Sequence, residues 1–148
     1  MIDLQNDRQV LAATLWGEAR GEGVIGMECV AAVIMNRVHI DLGHDDKPDW
    51  WGEGVLGVCL KARQFSCWNT VDPNRQKLLA LSERDPWFVH GLAIADRAID
   101  GTLIDMTAGA THYVRDDYVS RTNWTADRFG VPRVPCAKRG RHWFYKLA

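Results

Sequence analysis

Apolar residues near the start of the chain recur at helical spacing. Leu11, Leu15 and Glu18 fall at i, i+4 and i+7, so they share one face of a predicted helix. Asn6 or Asp7 is suited to cap the start of this helix, and the glycine-rich stretch that follows Glu18 is suited to end it. Glu18 is therefore expected on the last turn, on the apolar side of the helix.

Two further segments predict helices in the first half of the chain. Residues 26–38 are apolar around most of a helix circumference, which predicts a central core helix. Residues 39–54 are polar and rich in Asp, Gly and Trp, which predicts a long surface loop of a kind that often carries function. Residues 55–61 predict a short helix.

A last helix is predicted after Asp85. Asp85 followed by Pro86 is typical of a helix start, residues 87–99 form the body, and Gly101 ends it. The residues predicted to face the core are Trp87, Gly91, Ile94, Ala95 and Ala98.

The pattern then changes from helical to extended. Residues 110–114 and 142–147 are short and rich in aromatic and β-branched side chains, which predicts two strands. The expected fold class is α+β, mainly α, with a small β-sheet. A chain of 148 residues is long enough to bury one core, so we expect residues 1–148 to form a single domain.

Charge is unevenly distributed along the chain. Residues 1–114 carry 10 Lys/Arg against 16 Asp/Glu, and residues 115–148 carry 8 against 3, which gives about −6 and +5. A basic C-terminal part favours contact with an anionic partner such as cell-wall polymer, lipid headgroups or nucleic acid. A solvated basic face that balances an acidic one explains the same counts.

The chain shows no targeting or membrane pattern. Residues 1–7 have neither a basic nor an apolar region of a secretory signal, and the longest apolar run, residues 30–35, is too short to span a bilayer. We therefore expect synthesis and retention in the cytoplasm. The four cysteines, none in a C-x-x-C pair, are expected to be reduced thiols.

Glu18 is the leading candidate for chemistry. A carboxyl group at the end of an apolar helix loses solvation, which raises its pKa and suits it to act as a general acid. The alternative is a surface ion pair with Arg20 or Arg37. Glu22 is expected beyond the helix end, so its spacing from Glu18 does not by itself make a paired-carboxylate site.

Two other kinds of site fit the sequence less well. A metal site is conceivable in one loop, but the spacing matches no known motif, and we expect a solvated acidic loop with no metal and no cofactor. Its candidate ligands are His39, Asp41, His44, Asp45 and Asp46. A cysteine amidase or peptidase would need Cys67 as nucleophile and His112 as base, two residues far apart in sequence.

Several tryptophans lie beside polar or loop residues. Aromatic rings on polar loops suit the apolar faces of sugar rings and also single-stranded bases. The candidates are Trp16, Trp50, Trp51, Trp68 and Trp124.

Five blocks together resemble one family. They are residues 15–22 (LWGEARGE), 31–38 (AAVIMNRV), 64–68 (QFSCW), 109–114 (GATHYV) and 140–145 (GRHWFY). In this order they are similar to the cell-wall hydrolase family typified by the spore-cortex-lytic enzymes. The resemblance spans residues 8–146, nearly the whole chain.

The resemblance implies a compact lysozyme-like domain that cuts peptidoglycan between N-acetylmuramic acid and N-acetylglucosamine. It implies that Glu18 is the catalytic acid. The positions that it implies for substrate contact are Phe65, Ser66, His112 and Tyr113, with Glu22 as a possible helper. Asn36 and Arg37 match a block that we interpret as structural support.

The resemblance also favours a mechanism and a setting. Members act as lytic transglycosylases with one carboxyl group, which forms a 1,6-anhydro end in place of hydrolysis. A muramidase that uses Glu18 and Glu22, a Cys67/His112 amidase and a non-catalytic wall-binding module remain alternatives. Without an export signal or wall-binding domain, the chain is expected to be a monomeric phage endolysin. It would reach the periplasmic wall after holin release and bind no nucleic acid.

Overall fold

A computed structural model describes residues 1–40 and 51–147. Within these ranges the helices are α1 (Asp7–Ala19), α2 (Gly23–His39), α3 (Gly54–Leu60), α4 (Asn74–Leu79) and α5 (Pro86–Asp100). The strands are β1 (His112–Arg115), β2 (Ala137–Arg139) and β3 (His142–Tyr145). The mainly helical α+β class is confirmed.

Helix α1 begins and ends close to its predicted bounds. The Asn6 side chain accepts a hydrogen bond from the backbone N–H of Gln9 at 2.9 Å, which satisfies one donor of the first turn. After Ala19 a short 3-10 turn leads directly into α2, and Gly23 adopts a φ of 77° at the junction. This left-handed conformation is easily reached only by glycine, so the chain can reverse within a few residues of Glu18.

The core forms where α1 packs against α2, α3 and α5. Helix α5 approaches α1 closely because Gly91 has no side chain; a Cβ there would lie 3.0 Å from the Ala12 carbonyl oxygen. The Asp85 carboxylate caps α5, as predicted, by accepting from the N–H groups of Trp87 and Phe88.

One inward residue of α5 was predicted incorrectly. Trp87 is 39% exposed, and Phe88 is buried in its place. Phe88, Gly91 and Ala95 are spaced by three and four residues and so share a face. Trp87 lies about 100° away from Phe88 around the helix axis.

The sheet has the order β1-β3-β2 with antiparallel pairing throughout. Tyr113 and Phe144 are paired and face α2, where Phe144 packs with Cys29 and Val33. Strand β2 was not predicted, because its three residues include two exposed charged ones that show no alternation to an apolar face. The short helix α4 was also missed.

Three of the tryptophans proposed as sugar-binding rings are buried. Trp16, Trp51 and Trp68 are 7%, 8% and 8% exposed, so they pack in the core or under the site. All four cysteines are free thiols, as expected. Among the described residues, no helix has both the length and the apolar character needed to cross a membrane.

The contact between α1 and α5 leads to a test of packing. Gly91→Val places two methyl groups against the Ala12 backbone, which cannot move aside as a side chain does. We expect a loss of about 1–3 kcal/mol in the free energy of unfolding, measured by urea denaturation. Ala93→Val, on the exposed face of the same helix, is the control, and an equal loss there would contradict this account.

Candidate active site

The carboxyl group of Glu18 lies where three chain segments meet. Glu18 is on the last turn of α1, the Cys67 Sγ lies 3.6 Å from its Oε1, and the Tyr113 hydroxyl lies 3.4 Å from its Oε2. Both neighbours donate to the carboxylate. The contacts are long, as is common for catalytic hydrogen bonds in sites without substrate.

Burial controls the protonation of Glu18. Desolvation raises the pKa of this carboxyl group, and the negative charge of Asp72 raises it further. The hydrogen bonds from Cys67 and Tyr113 act in the opposite direction because they favour the charged form. Desolvation is the largest of these effects, so Glu18 holds its proton at a higher pH than an exposed glutamate does.

Neither arginine proposed as an ion-pair partner neutralises Glu18. The Arg20 guanidinium stacks 3.6 Å from the centre of the Trp16 ring and donates to the Trp16 carbonyl oxygen at 2.8 Å. Arg37 donates through Nε to the carbonyl oxygen of Thr111 at 2.7 Å. Among the described residues Glu18 forms no ion pair, so no cation opposes the effect of desolvation on its pKa.

The segment that carries Cys67 is fixed to α1 by close packing. A Cβ at Gly17 would lie 2.8 Å from both Cβ and Sγ of Cys67, so only glycine leaves room for the thiol beside Glu18. The Trp68 indole N–H donates to the Thr14 hydroxyl at 2.9 Å, inside the core. These contacts place the thiol next to the carboxyl group.

Helix α2 positions the strand that carries Tyr113. The Asn36 amide donates to the Ala110 carbonyl oxygen at 2.9 Å, and Arg37 binds the next carbonyl oxygen, that of Thr111. The support role expected of these two side chains is confirmed. Burial and the charge of Glu18 raise the pKa of Tyr113, so its hydroxyl remains a donor.

His112 lies on the other face of β1, between two indole rings. Its ring centre is 5.8 Å from that of Trp51 and 4.9 Å from that of Trp124. Burial and the nearby positive charge of Arg37 lower the pKa of His112 to about 4. The imidazole is therefore neutral near pH 7.

Cys67 and His112 do not form a nucleophile and base. No hydrogen bond joins them within the described residues. Burial and the charge of Glu18 raise the pKa of the Cys67 thiol, whereas a nucleophilic cysteine needs a lowered pKa. His112 is neutral, so it does not stabilise a thiolate.

Glu22 faces a different part of the molecule. Its Oε2 accepts from the Arg141 backbone N–H at 3.2 Å, and a Cβ at Gly140 would collide with this oxygen. Glu22 therefore holds the turn between β2 and β3, and it makes no hydrogen bond to Glu18. A contact of Glu22 with substrate stays a prediction.

Two other predicted contact residues are placed differently from each other. Phe65 is only 3% exposed and lies beneath the site, with the Arg37 guanidinium 5.8 Å from its ring centre. It forms part of the wall and presents little surface to a ligand. Ser66 is exposed at the start of the next turn.

Two contributors to the site were not predicted from the sequence. Cys67 was considered only as a nucleophile, although its place in the block at 64–68 marked it as part of the site. Asp72 lies in none of the sequence blocks. Its negative charge raises the pKa of Glu18 only because the fold brings the two residues near each other.

The described residues contain no cluster of metal-ligating side chains. Of the loop residues considered as metal ligands, His39 ends α2, and Asp41, His44, Asp45 and Asp46 lie outside the described residues.

Comparison with known proteins places this chain in a family. The model of the Cell Wall Hydrolase family matches residues 21–145, a range that begins just after Glu18. A spore cortex-lytic enzyme of Bacillus cereus is 56% identical over 143 residues, which are 96% of this chain and 45% of that protein. A spore cortex-lytic enzyme of Halalkalibacterium halodurans is 27% identical over 94% of this chain and 34% of its own length. The chain thus spans less than half the length of these relatives.

A solved structure covers almost the same extent as this chain. The catalytic domain of the germination-specific lytic transglycosylase SleB from Bacillus anthracis superposes with a TM-score of 0.65 and 30% identity, covering 96% of this chain and 95% of that one. The expected lysozyme-like fold is confirmed by this match. The family model covers well over half of the residues of this chain. The chain therefore belongs to the cell wall hydrolase family.

Proposed function

We propose that this protein cleaves the glycan strands of peptidoglycan between N-acetylmuramic acid and N-acetylglucosamine, as a lytic transglycosylase with Glu18 as its acid and base. The observation that carries the proposal is a partly buried carboxyl group with a raised pKa and two uncharged donors. The similarity to the SleB catalytic domain supports it.

In the first step the protonated carboxyl group of Glu18 acts as general acid. Its proton passes to the oxygen of the glycosidic bond as the bond from that oxygen to C1 of the muramic residue breaks. The N-acetylglucosamine leaves with a hydroxyl group, and the positive charge left at C1 of the muramic residue is that of an oxocarbenium ion. Glu18 becomes a carboxylate, and the Cys67 thiol and Tyr113 hydroxyl stabilise its new charge by donating to it.

In the second step the same carboxylate acts as general base. It removes the proton of the C6 hydroxyl of the muramic residue while that oxygen forms a bond to C1. The product is a 1,6-anhydro ring, and Glu18 is again protonated. No protein nucleophile and no positioned water are required, so a single carboxyl group serves both steps.

A second carboxylate is the main requirement of the competing hydrolytic mechanism. Retaining and inverting glycosidases use a pair of carboxyl groups on either side of the bond. Glu22 binds the turn before β3, which argues against its use as the partner of Glu18.

Glu18→Gln tests the assignment directly, since the amide cannot donate a proton as an acid does. We expect cleavage of purified cell walls to fall by about 10²- to 10⁴-fold without loss of the fold. Mass spectrometry of the products should show 1,6-anhydro-muramic ends from the wild type.

Glu22→Gln is the matched control for that variant and should cleave walls at a rate near that of the wild type. Cys67→Ala removes one of the two donors to Glu18, so cleavage should be weakened but not abolished. Reducing ends together with an inactive Glu22→Gln would mean a two-carboxylate muramidase. Release of peptides by the wild type, together with loss of activity in Cys67→Ala, would mean an amidase.

Tyr113→Phe should move the pH dependence of cleavage. In the wild type the hydrogen bond from the Tyr113 hydroxyl favours the charged form of Glu18. Its loss in the variant therefore raises the pKa of Glu18 further. Glu18 then remains an acid to higher pH, and the alkaline limb of kcat/KM shifts upward. A limb that shifts to lower pH, or does not move, would contradict the proposed contact; Tyr118→Phe, an exposed tyrosine, is the control.

A phage endolysin is the biological role that we propose for this activity, with the protein acting as a monomer on the periplasmic wall. The excess positive charge of residues 115–148 suits an anionic wall. Expression in a bacterial host should cause lysis only when a holin or another membrane-permeabilising protein is co-expressed. Lysis without permeabilisation would argue against release by a holin.

A further inference from the structure

A hollow of about 690 Å³ lies on the face of β3 that is turned away from α2, and residues 116–133 cover part of it. We call it the outer hollow. Side chains from β3 and from the covering segment form its wall. The polar and aromatic side chains of this wall that are suited to contact a ligand are Ser120, Arg121, Asn123, Arg133, Trp143 and Tyr145.

The outer hollow carries a net positive charge. Arg121 and Arg133 are exposed, and neither is in an ion pair with another described residue. Asp116 is the acidic side chain on the described wall, and its carboxylate lies 3.5 Å from the guanidinium of Arg141. Two guanidinium groups are therefore available to an anion.

Tyr145 adds a buried donor without a partner. Its side chain is 1% exposed, and its hydroxyl makes no hydrogen bond within the described structure. Such a group costs free energy of folding unless a ligand or water satisfies it. Burial raises the pKa of this phenol, so the hydroxyl stays protonated and can donate to an oxygen anion.

The outer hollow is linked to the catalytic site through aromatic rings. The ring of Tyr145 lies 5.3 Å from that of Trp124, which lies 4.9 Å from that of His112. His112 precedes Tyr113, the residue bonded to Glu18, and the two side chains lie on opposite faces of β1. Because β1 is an edge strand of the sheet, a group attached to a sugar at Glu18 would reach the outer hollow by passing around that edge.

We propose that the outer hollow binds a carboxylate of the peptide stem attached to the glycan strand that is being cut. The proposal rests on the proposed function for the identity of the substrate. Each stem is joined to a muramic residue and carries free carboxylates. Arg121 and Arg133 would bind such a group through charge-assisted, bidentate hydrogen bonds, with the Tyr145 hydroxyl as a further donor. Trp143, whose ring has the Lys138 ammonium 3.7 Å from its centre, offers apolar surface to the stem.

The test measures binding with no need for turnover. Glu18→Gln protein is titrated calorimetrically with a disaccharide that carries a tripeptide stem, and with the same disaccharide without peptide. We expect the stem to tighten binding by about tenfold, a change equivalent to about 1.4 kcal/mol. Adding Arg121→Gln and Arg133→Gln to this protein should abolish the difference in affinity. The control adds Arg84→Gln and Arg128→Gln, which remove two exposed arginines outside the hollow, and should leave the difference intact.

The outcomes separate this proposal from the proposed function. Equal affinity for the two ligands, or a difference that survives loss of Arg121 and Arg133, overturns the stem site even if walls are cleaved. Competition by inorganic phosphate as strong as that by the stem would mean a general anion site and also overturns it. Stem-dependent binding by a protein whose wild type cleaves no wall would leave the site standing and refute the enzymatic proposal.

Tyr145→Phe provides a second, independent test. Removing an unsatisfied buried hydroxyl should leave the free energy of unfolding unchanged or raise it. The affinity for the stem-bearing disaccharide should nevertheless fall severalfold. A loss of both stability and affinity would indicate a purely structural hydroxyl and would count against the proposal.

Discussion

The structure of the site depends on the contact between Gly17 and Cys67. Because position 17 has no side chain, the thiol can lie within reach of the preceding helix, and Glu18 is closed off from solvent on that side. A Cβ at Gly17 would lie 2.8 Å from Cβ and Sγ of Cys67, so the two segments would have to move apart there. Desolvation raises the pKa of Glu18, and this close approach contributes to its burial, while the hydrogen bond from the thiol acts in the opposite direction.

The surroundings of Glu18 are largely uncharged, and this has a chemical consequence. The nearest donors are a thiol and a phenol that burial keeps protonated, and His112 is neutral because its pKa is lowered. A cation next to Glu18 would lower its pKa and weaken it as an acid. Weak, neutral donors leave the proton in place and still stabilise the carboxylate that forms when the proton is lost.

The two faces of the small sheet serve different purposes. The face that carries Tyr113 and Phe144 packs against α2 and completes the catalytic site. The face that carries His112 and Tyr145 looks away from α2, towards a positively charged hollow. Because side chains alternate between the two faces of a strand, β1 contributes Tyr113 to the catalytic site on one face and His112 to the opposite face, where the positively charged hollow lies.

Much of the fold follows from local pattern. The start of α1 at Asn6, the cap of α5 at Asp85 and the position of Glu18 on the last turn of α1 each depend on residues close in sequence. The resemblance of the blocks to the family then predicted Glu18 as the acid. Short elements such as β2 and α4 were missed, because they are stabilised by neighbours that are distant along the chain.

The sequence by itself determined α1, α2, α3 and α5, the leading candidate for the acid and the family resemblance, because those depend on spacing and on residue type. Only the tertiary structure decided which groups touch that acid. The Cys67 thiol donates to Glu18, the Arg20 guanidinium stacks on the Trp16 ring, and the Glu22 carboxylate binds the turn between β2 and β3. The contacts of Cys67 and Glu22 depend on packing between segments tens of residues apart, which no local pattern predicts, whereas the contact of Arg20 with Trp16 is made within four residues.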